Sequence, residues 1–118
     1  MKTVLLVDDD ATMRSLLKTL LEIEGFAVIA KDITGEQILE SMRQTNPDVV
    51  LMDIHLKDAN GLDILHKVRQ DPDLLNLRVV MTSGKALREE CLAAGANGFL
   101  LKPYMPAELI AMIRQQAS

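Results

Sequence analysis

Residues 4–10 read Val-Leu-Leu-Val-Asp-Asp-Asp: four apolar side chains run without a break into three carboxylates. An unbroken aliphatic run of this length marks a strand buried on both faces, and such strands belong to parallel sheets flanked by helices. Three adjacent acids repel one another and resist burial. Either the chain reaches water at that point, or a cation belongs beside it.

The same strand type recurs at 3–7, 26–30, 49–52, 77–81 and 98–101, with helical patterns between. In the first helix Met13, Leu16, Leu17, Leu20 and Leu21 keep the i, i+3, i+4, i+7, i+8 rhythm, and Gly25 supplies a stop. Thr34-Gly-Glu-Gln37 has capping-box spacing for a second helix that ends before Pro47. Leu62, Leu65 and Val68 mark a third over about 62–70, with Pro72 beyond. A fourth covers about 86–94 up to Gly95, and the last opens at Pro106 and carries Leu109, Ile110 and Ile113. Five β-α units in succession predict an α/β fold. The expected form is a (βα)5 doubly wound, five-stranded parallel sheet of flavodoxin-like order 2-1-3-4-5, one domain over residues 1–118.

At 118 residues, 48% of them hydrophobic and only 3% aromatic, the core must be built from Leu, Val, Ile and Met. The single cysteine, Cys91, cannot form an internal disulfide; it reads as packing and fits a reducing compartment. The apolar stretch after Lys2 is too short for a signal peptide, and no run approaches the roughly 20 apolar residues of a membrane span. The expected location is the cytoplasm, with no membrane attachment. A net charge of −4 with dispersed basic residues argues against direct nucleic-acid binding.

In doubly wound sheets, ligands gather at the carboxyl ends of the strands. The first strand ends in Asp8-Asp9, the third in Asp53, the fourth in Thr82-Ser83 and the fifth in Lys102-Pro103. With order 2-1-3-4-5 the first and third strands are neighbours, so Asp8, Asp9 and Asp53 converge, with Thr82 and Lys102 opposite. Two carboxylates about 5 Å apart repel by roughly 3 kcal/mol at an effective dielectric of about 20. A hard divalent cation relieves this, and an all-oxygen donor set suits Mg²⁺ rather than zinc. A carboxylate can also accept a phosphoryl group as a nucleophile. Such transfer needs charge neutralised on three equatorial oxygens, which Mg²⁺, the Lys102 ammonium and the Thr82 hydroxyl or a backbone N–H can do. Of the neighbours, Asp10 reads as a helix cap, Ser83 as loop, His66 as helix surface, and Met52 and Met81 as strand core.

With Val-Asp-Asp-Asp at 7–10, Asp53, Thr82, Gly-Ala-Asn at 95–97 and Lys-Pro at 102–103, the chain resembles the receiver domain of two-component response regulators over essentially its whole length. The resemblance implies Asp53 as phosphoacceptor, with a sensor histidine kinase or a histidine phosphotransfer protein as donor. It implies Asp9 and Asp53 as direct Mg²⁺ ligands, Asp8 acting through water, and the backbone carbonyl of His55 completing the site; the His55 ring is not a ligand. It also implies a cis peptide at Lys102-Pro103, a switch pair of Thr82 and Phe99, and a downstream effector protein or an output domain outside these residues.

The chain departs from the family pattern in several places. Lys57 stands where the family often has proline, and Asn60-Gly61 where it has Asp-Gly. About two residues are missing between Thr82 and Lys102, which trims the fourth helix or its loop. Phe99 replaces the commoner tyrosine, and Tyr104 is a second surface aromatic.

The expected function is a phosphorylation-controlled interaction module, which promotes its own phosphorylation and dephosphorylation but has no external substrate. One alternative is a degenerate receiver that binds partners without phosphorylation. The other is an aspartate-based phosphatase. That class wants a second acid two residues after the nucleophile, where His55 stands, and a cap for which 118 residues leave no room.

Overall fold

The computed structural model describes residues 1–118. Its strands are β1 (Thr3–Val7), β2 (Ala27–Ala30), β3 (Val49–Asp53), β4 (Arg78–Ser83) and β5 (Gly98–Leu101). The helices are α1 (Ala11–Ile23), α2 (Ile38–Thr45), α3 (Gly61–Gln70), α4 (Arg88–Ala93) and α5 (Pro106–Ala117), with a 3₁₀ turn over Gly35–Gln37 before α2. All strand pairs are parallel and the order is β2-β1-β3-β4-β5.

The period-two alternation of a strand divides the core into two layers. Leu5, Val7, Val50, Met52, Val79, Met81 and Phe99 pack with Ile38 and Met42 of α2, Leu65 and Val68 of α3, and Cys91 of α4. Their neighbours Val4, Leu6, Val49, Leu51, Val80 and Leu100 turn the other way, onto Leu17 and Leu21 of α1 and Leu109 and Ile113 of α5. Helices α1 and α5 therefore cover one face and α2 to α4 the other. Each fully buried aliphatic side chain contributes about 1.5–3 kcal/mol relative to exposure.

Side chains close the helix ends. Asp10 caps α1 by accepting from the Met13 N–H at 3.1 Å, and Asn60 caps α3 by accepting from the Leu62 N–H at 2.8 Å. Gly25 follows α1 at φ +94° and Gly95 follows α4 at φ +101°, a region that favours glycine.

Three local readings need correction. Ser83 is the last residue of β4 and fully buried, because Lys102 N–H bonds its carbonyl at 2.8 Å and extends the β4–β5 ladder by one rung. Helix α4 holds only six residues, so the short Thr82–Lys102 spacing removes helix as well as loop. Leu16 is 52% exposed, since the apolar arc of α1 is wider than the sheet beneath can cover.

The Gly-Ala-Asn segment has a structural part that its residue types did not announce. Arg69 of α3 donates to the Gly95 carbonyl at 2.9 Å, the Leu77 carbonyl at 2.8 Å and Asn97 Oδ1 at 3.0 Å. Asn97 Oδ1 also accepts from the Val79 N–H at 2.8 Å. One guanidinium thus ties α3 to the loops entering β4 and β5. Burial, and secondarily the nearby Arg78, pulls its pKa down.

Candidate functional site

Strand alternation alone delivers the polar residues to one row. Leu6, Leu51 and Val80 face α1 and α5, and two residues further on stand Asp8, Asp53 and Thr82. Asp53 and Thr82 are paired in register across β3 and β4. The Ile54 N–H bonds the Thr82 carbonyl at 3.0 Å, which holds the ends of the two strands together.

Lys102 reaches back from the end of β5. Its ammonium lies 2.6 Å from Asp53 Oδ2 and 3.8 Å from Asp8 Oδ2. Asp53 Oδ1 accepts from the His55 N–H at 3.0 Å. Asp8 Oδ1 accepts from the Asp10 N–H at 2.9 Å. Burial pushes the Asp8 carboxyl above the usual carboxylate value; the Asp10 N–H and Lys102 pull against this, and Asp53 adds to it. The Lys102–Pro103 peptide bond is cis. Thr82 is buried between these groups, at 2% exposure.

The expected convergence of Asp8, Asp9 and Asp53 on one point is only partly realised. Asp8 and Asp53 share the Lys102 ammonium, but the Asp9 carboxylate turns to the backbone N–H of Lys57, and no three acidic groups close into a metal-holding cluster. The physical reason is competition: each carboxylate takes the donor that best offsets its charge, and a loop N–H satisfies Asp9. The donor set itself fits Mg²⁺, being hard oxygens at a strand-end cleft. Gathering it requires Asp9 to turn away from Lys57.

Gly61 was expected to serve a turn. Its φ is not positive, and a different constraint applies. A Cβ there would sit 2.6 Å from the Asp53 carbonyl oxygen and 2.8 Å from Ile54 Cα. The first turn of α3 therefore lies directly against the backbone that carries Asp53, and the Gly61 N–H bonds the Ile54 carbonyl at 2.7 Å. Gly61→Ala is expected to destabilise the fold by about 2 kcal/mol through overpacking against rigid backbone. Denaturant unfolding measures it; a loss below about 0.5 kcal/mol would show that α3 can slide away.

The two aromatics sit differently from one another. Phe99 is 5% exposed and packs in the α2–α4 layer, in register with Met81. Tyr104 is not a surface aromatic. It is half-buried against the α1–α5 layer and lines a groove of about 340 Å³ with Met13, Leu16, Leu20 and Pro106. Burial first, then the charges of Asp8 and Asp53, pushes its phenol from 10.0 up to about 12.

This is the only tyrosine, so its titration can be followed directly. The folded value lies above the unfolded one, so Tyr104 favours the folded state fully below pH 10.0, and that contribution is lost as pH rises toward about 12. Native protein is expected to show no phenolate absorbance near pH 10, the signal appearing only with alkaline unfolding. Ionisation at the ordinary tyrosine value in still-folded protein would contradict this placement.

One further contact had no signal in the sequence. The His55 ring Nε2 lies 3.0 Å from Ser83 Oγ, joining the loop after β3 to the end of β4.

The comparisons with known proteins agree with this arrangement. The family model described as response regulator receiver domain matches residues 4–114. The chain belongs to that family. It is 33% identical over 113 residues to the chemotaxis protein CheY of Thermotoga maritima, covering 92% of each. It is 36% identical over 116 residues to the DNA-binding response regulator MtrA of Mycobacterium tuberculosis, covering 94% of this chain but 48% of that one. Several other curated relatives match in the same way, over about half of their length or a little less. Among solved structures, the receiver domain of a sensor histidine kinase from Pseudomonas aeruginosa superposes with a TM-score of 0.86 at 25% identity, covering 98% of this chain and 97% of that one. That structure has a magnesium ion coordinated in its active-site cleft. Receiver domains are signalling modules that interact with histidine kinases and output effectors, not enzymes in the ordinary sense. No helix in this chain is long and apolar enough to cross a membrane.

Proposed function

We propose that this receiver accepts a phosphoryl group on Asp53, from a phosphohistidine of a sensor kinase or a histidine phosphotransfer protein, and uses it to alter partner binding. The observation that carries the reading is the Lys102 ammonium shared between Asp53 and Asp8, with Thr82 in register beside them. Asp53 is held by two donors and lies at a cleft, so its carboxylate is oriented before a donor arrives.

In the reaction, an Asp53 oxygen attacks phosphorus and the donor's P–N bond breaks, its electron pair leaving with the imidazole. Lys102 is placed to follow negative charge from the carboxylate to a phosphoryl oxygen, and the Thr82 hydroxyl to bond another. Asp9, Asp53 and the His55 carbonyl would hold Mg²⁺, with Asp8 acting through water. When bound, the ion would neutralise charge on the transferring group. Promotion of its own phosphorylation and dephosphorylation belongs to the same residues, in a cytoplasmic protein.

The output follows from Thr82 and Phe99. A phosphoryl group draws the Thr82 hydroxyl toward it, and the end of β4 follows. Phe99 is already buried and has no hydroxyl to satisfy, so its displacement is small and the switch shallower than a tyrosine would give. The receiving partner is an effector protein or an output domain outside these residues.

Incubation with acetyl phosphate and Mg²⁺, followed by intact mass and peptide mapping, tests the assignment. The expected result is a single acid-stable, base-labile addition on Asp53, absent in Asp53→Ala. Addition to a Ser, Thr or His would refute it. Steady consumption of donor would indicate a phosphatase, and no addition a phosphorylation-independent interaction module.

A further inference from the structure

The His55–Ser83 contact is not used by the chemistry above, and it borders the acceptor carboxylate. The His55 backbone N–H donates to Asp53 Oδ1 at 3.0 Å while its ring spans to Ser83 Oγ at 3.0 Å. Asp53 and Thr82 are partners in register, so this bridge lies one rung beyond them at the mouth of the cleft. Ser83 is fully buried, and its Oγ already accepts from the Lys85 N–H at 3.0 Å. No buried side-chain nitrogen or oxygen lacks a partner. The hydroxyl proton therefore has the imidazole Nε2 as its acceptor, and the neutral ring carries its own proton on Nδ1. With its Nε2 lone pair occupied and Nδ1 protonated, the ring has no free basic site with which to activate water.

We infer that the His55 imidazole, pinned by the Ser83 hydroxyl, is a latch across the β3–β4 side of the cleft that shields the phosphoryl group on Asp53 from water and lengthens its lifetime. The inference rests on the phosphoacceptor reading of Asp53. The step it slows is hydrolysis. A water oxygen bonds to phosphorus as the P–O bond to Asp53 breaks, the bond's electron pair returns to the carboxylate, the water proton passes to solvent, and orthophosphate leaves. His55 is itself exposed, so the unpinned ring can swing outward and open that side. His55 here is a positioning residue, and the hydrolysis rate follows the fraction of time that the ring is out.

Loss of one neutral hydrogen bond, about 1 kcal/mol, raises that fraction about five-fold. The test follows the decay of phosphoryl groups on Asp53 after removal of acetyl phosphate, in Mg²⁺ at about pH 8, above the ordinary imidazole range. Ser83→Ala is expected to decay about five-fold faster than wild type. His55→Ala, which keeps the backbone carbonyl, should be at least as fast, and the double variant no faster than His55→Ala alone. A purely structural role for the two side chains would give independent effects that multiply. On unmodified protein, long-range ¹H–¹⁵N spectra should show His55 as the Nδ1–H tautomer in wild type and lose that bias in Ser83→Ala.

Unchanged decay in both variants overturns the latch. Slower decay in His55→Ala, multiplying effects or an Nε2–H tautomer do the same. A wild type that takes up no phosphoryl group on Asp53 overturns the functional reading and the latch's role with it, whereas a labelled wild type with unaltered variants overturns the latch alone.

Discussion

Lys102→Met is expected to lower the stability of the folded protein by about 2–3 kcal/mol at neutral pH and to lower its melting temperature by roughly 10 °C. The substitution keeps the aliphatic stem and removes the ammonium that lies 2.6 Å from Asp53 and 3.8 Å from Asp8. Those two carboxylate side chains are only 12% and 10% exposed, so the charge left behind is poorly solvated. Removing one partner of a fully buried pair costs about 3–5 kcal/mol; the 28% exposure of the lysine side chain admits water and reduces the figure. The sign of the pH dependence follows from Asp8. Its carboxyl already binds a proton more tightly in the folded state than its ordinary value of 3.8 implies, and loss of Lys102 strengthens this. A raised carboxyl favours the folded state below its unfolded pKa, and that contribution is lost as pH rises through the folded value. The deficit of the variant against wild type should therefore be largest near neutrality and shrink as pH falls toward about 4. Thermal melts across pH measure it, and a deficit independent of pH would show that the lysine acts by packing.

Mg²⁺ is expected to stabilise the protein by up to about 2.7 kcal/mol at a hundred times its dissociation constant, since a ligand bound only by the folded state adds RT ln(1 + [L]/Kd). The affinity carries a cost that the structure makes visible. Asp9 must give up the Lys57 N–H before it can turn inward, and Lys102 competes for the same Asp53 oxygen. Two variants separate these effects. Asp9→Ala should abolish the Mg²⁺-dependent rise in melting temperature, so that curves in EDTA and in excess Mg²⁺ coincide. Lys102→Met should show a larger Mg²⁺ rise than wild type, because the ion takes over neutralisation that the ammonium supplied. Wild type with no Mg²⁺ response would remove the metal from the mechanism.

The trimmed α4 bears on output. With six residues in place of a longer helix, the face beside β5 offers little helical surface. The apolar groove between α1 and α5, by contrast, contains Tyr104 and runs up to Lys102. Any partner that reads this receiver through the α4 side meets Cys91 buried beneath it and an exposed Leu92.

What residue order settled, and what it left to the fold, divides along the range of the interactions. The five β-α units, their sheet order and the row of Asp8, Asp53, Thr82 and Lys102 at the strand ends were legible because they depend on local periodicity. Alternation of two along a strand and 3.6 along a helix, together with the parallel order, places each residue on a face or at an edge without reference to distant side chains. Asp10 and Asn60 as caps were readable or nearly so for the same reason, since each bonds an N–H two or three residues away. Contacts between residues far apart in the chain were decided only in three dimensions. Asp9 meeting the Lys57 N–H, His55 meeting Ser83, and Arg69 gathering Gly95, Leu77 and Asn97 have no periodic signature, because each joins loops or strand ends whose separation depends on how whole helices pack. Gly61 is the clearest case. Its place after Asn60 suggested a turn, but its need for a bare Cα comes from the Asp53 carbonyl lying 2.6 Å from where a Cβ would be, a closeness that only the packing of α3 against the end of β3 imposes.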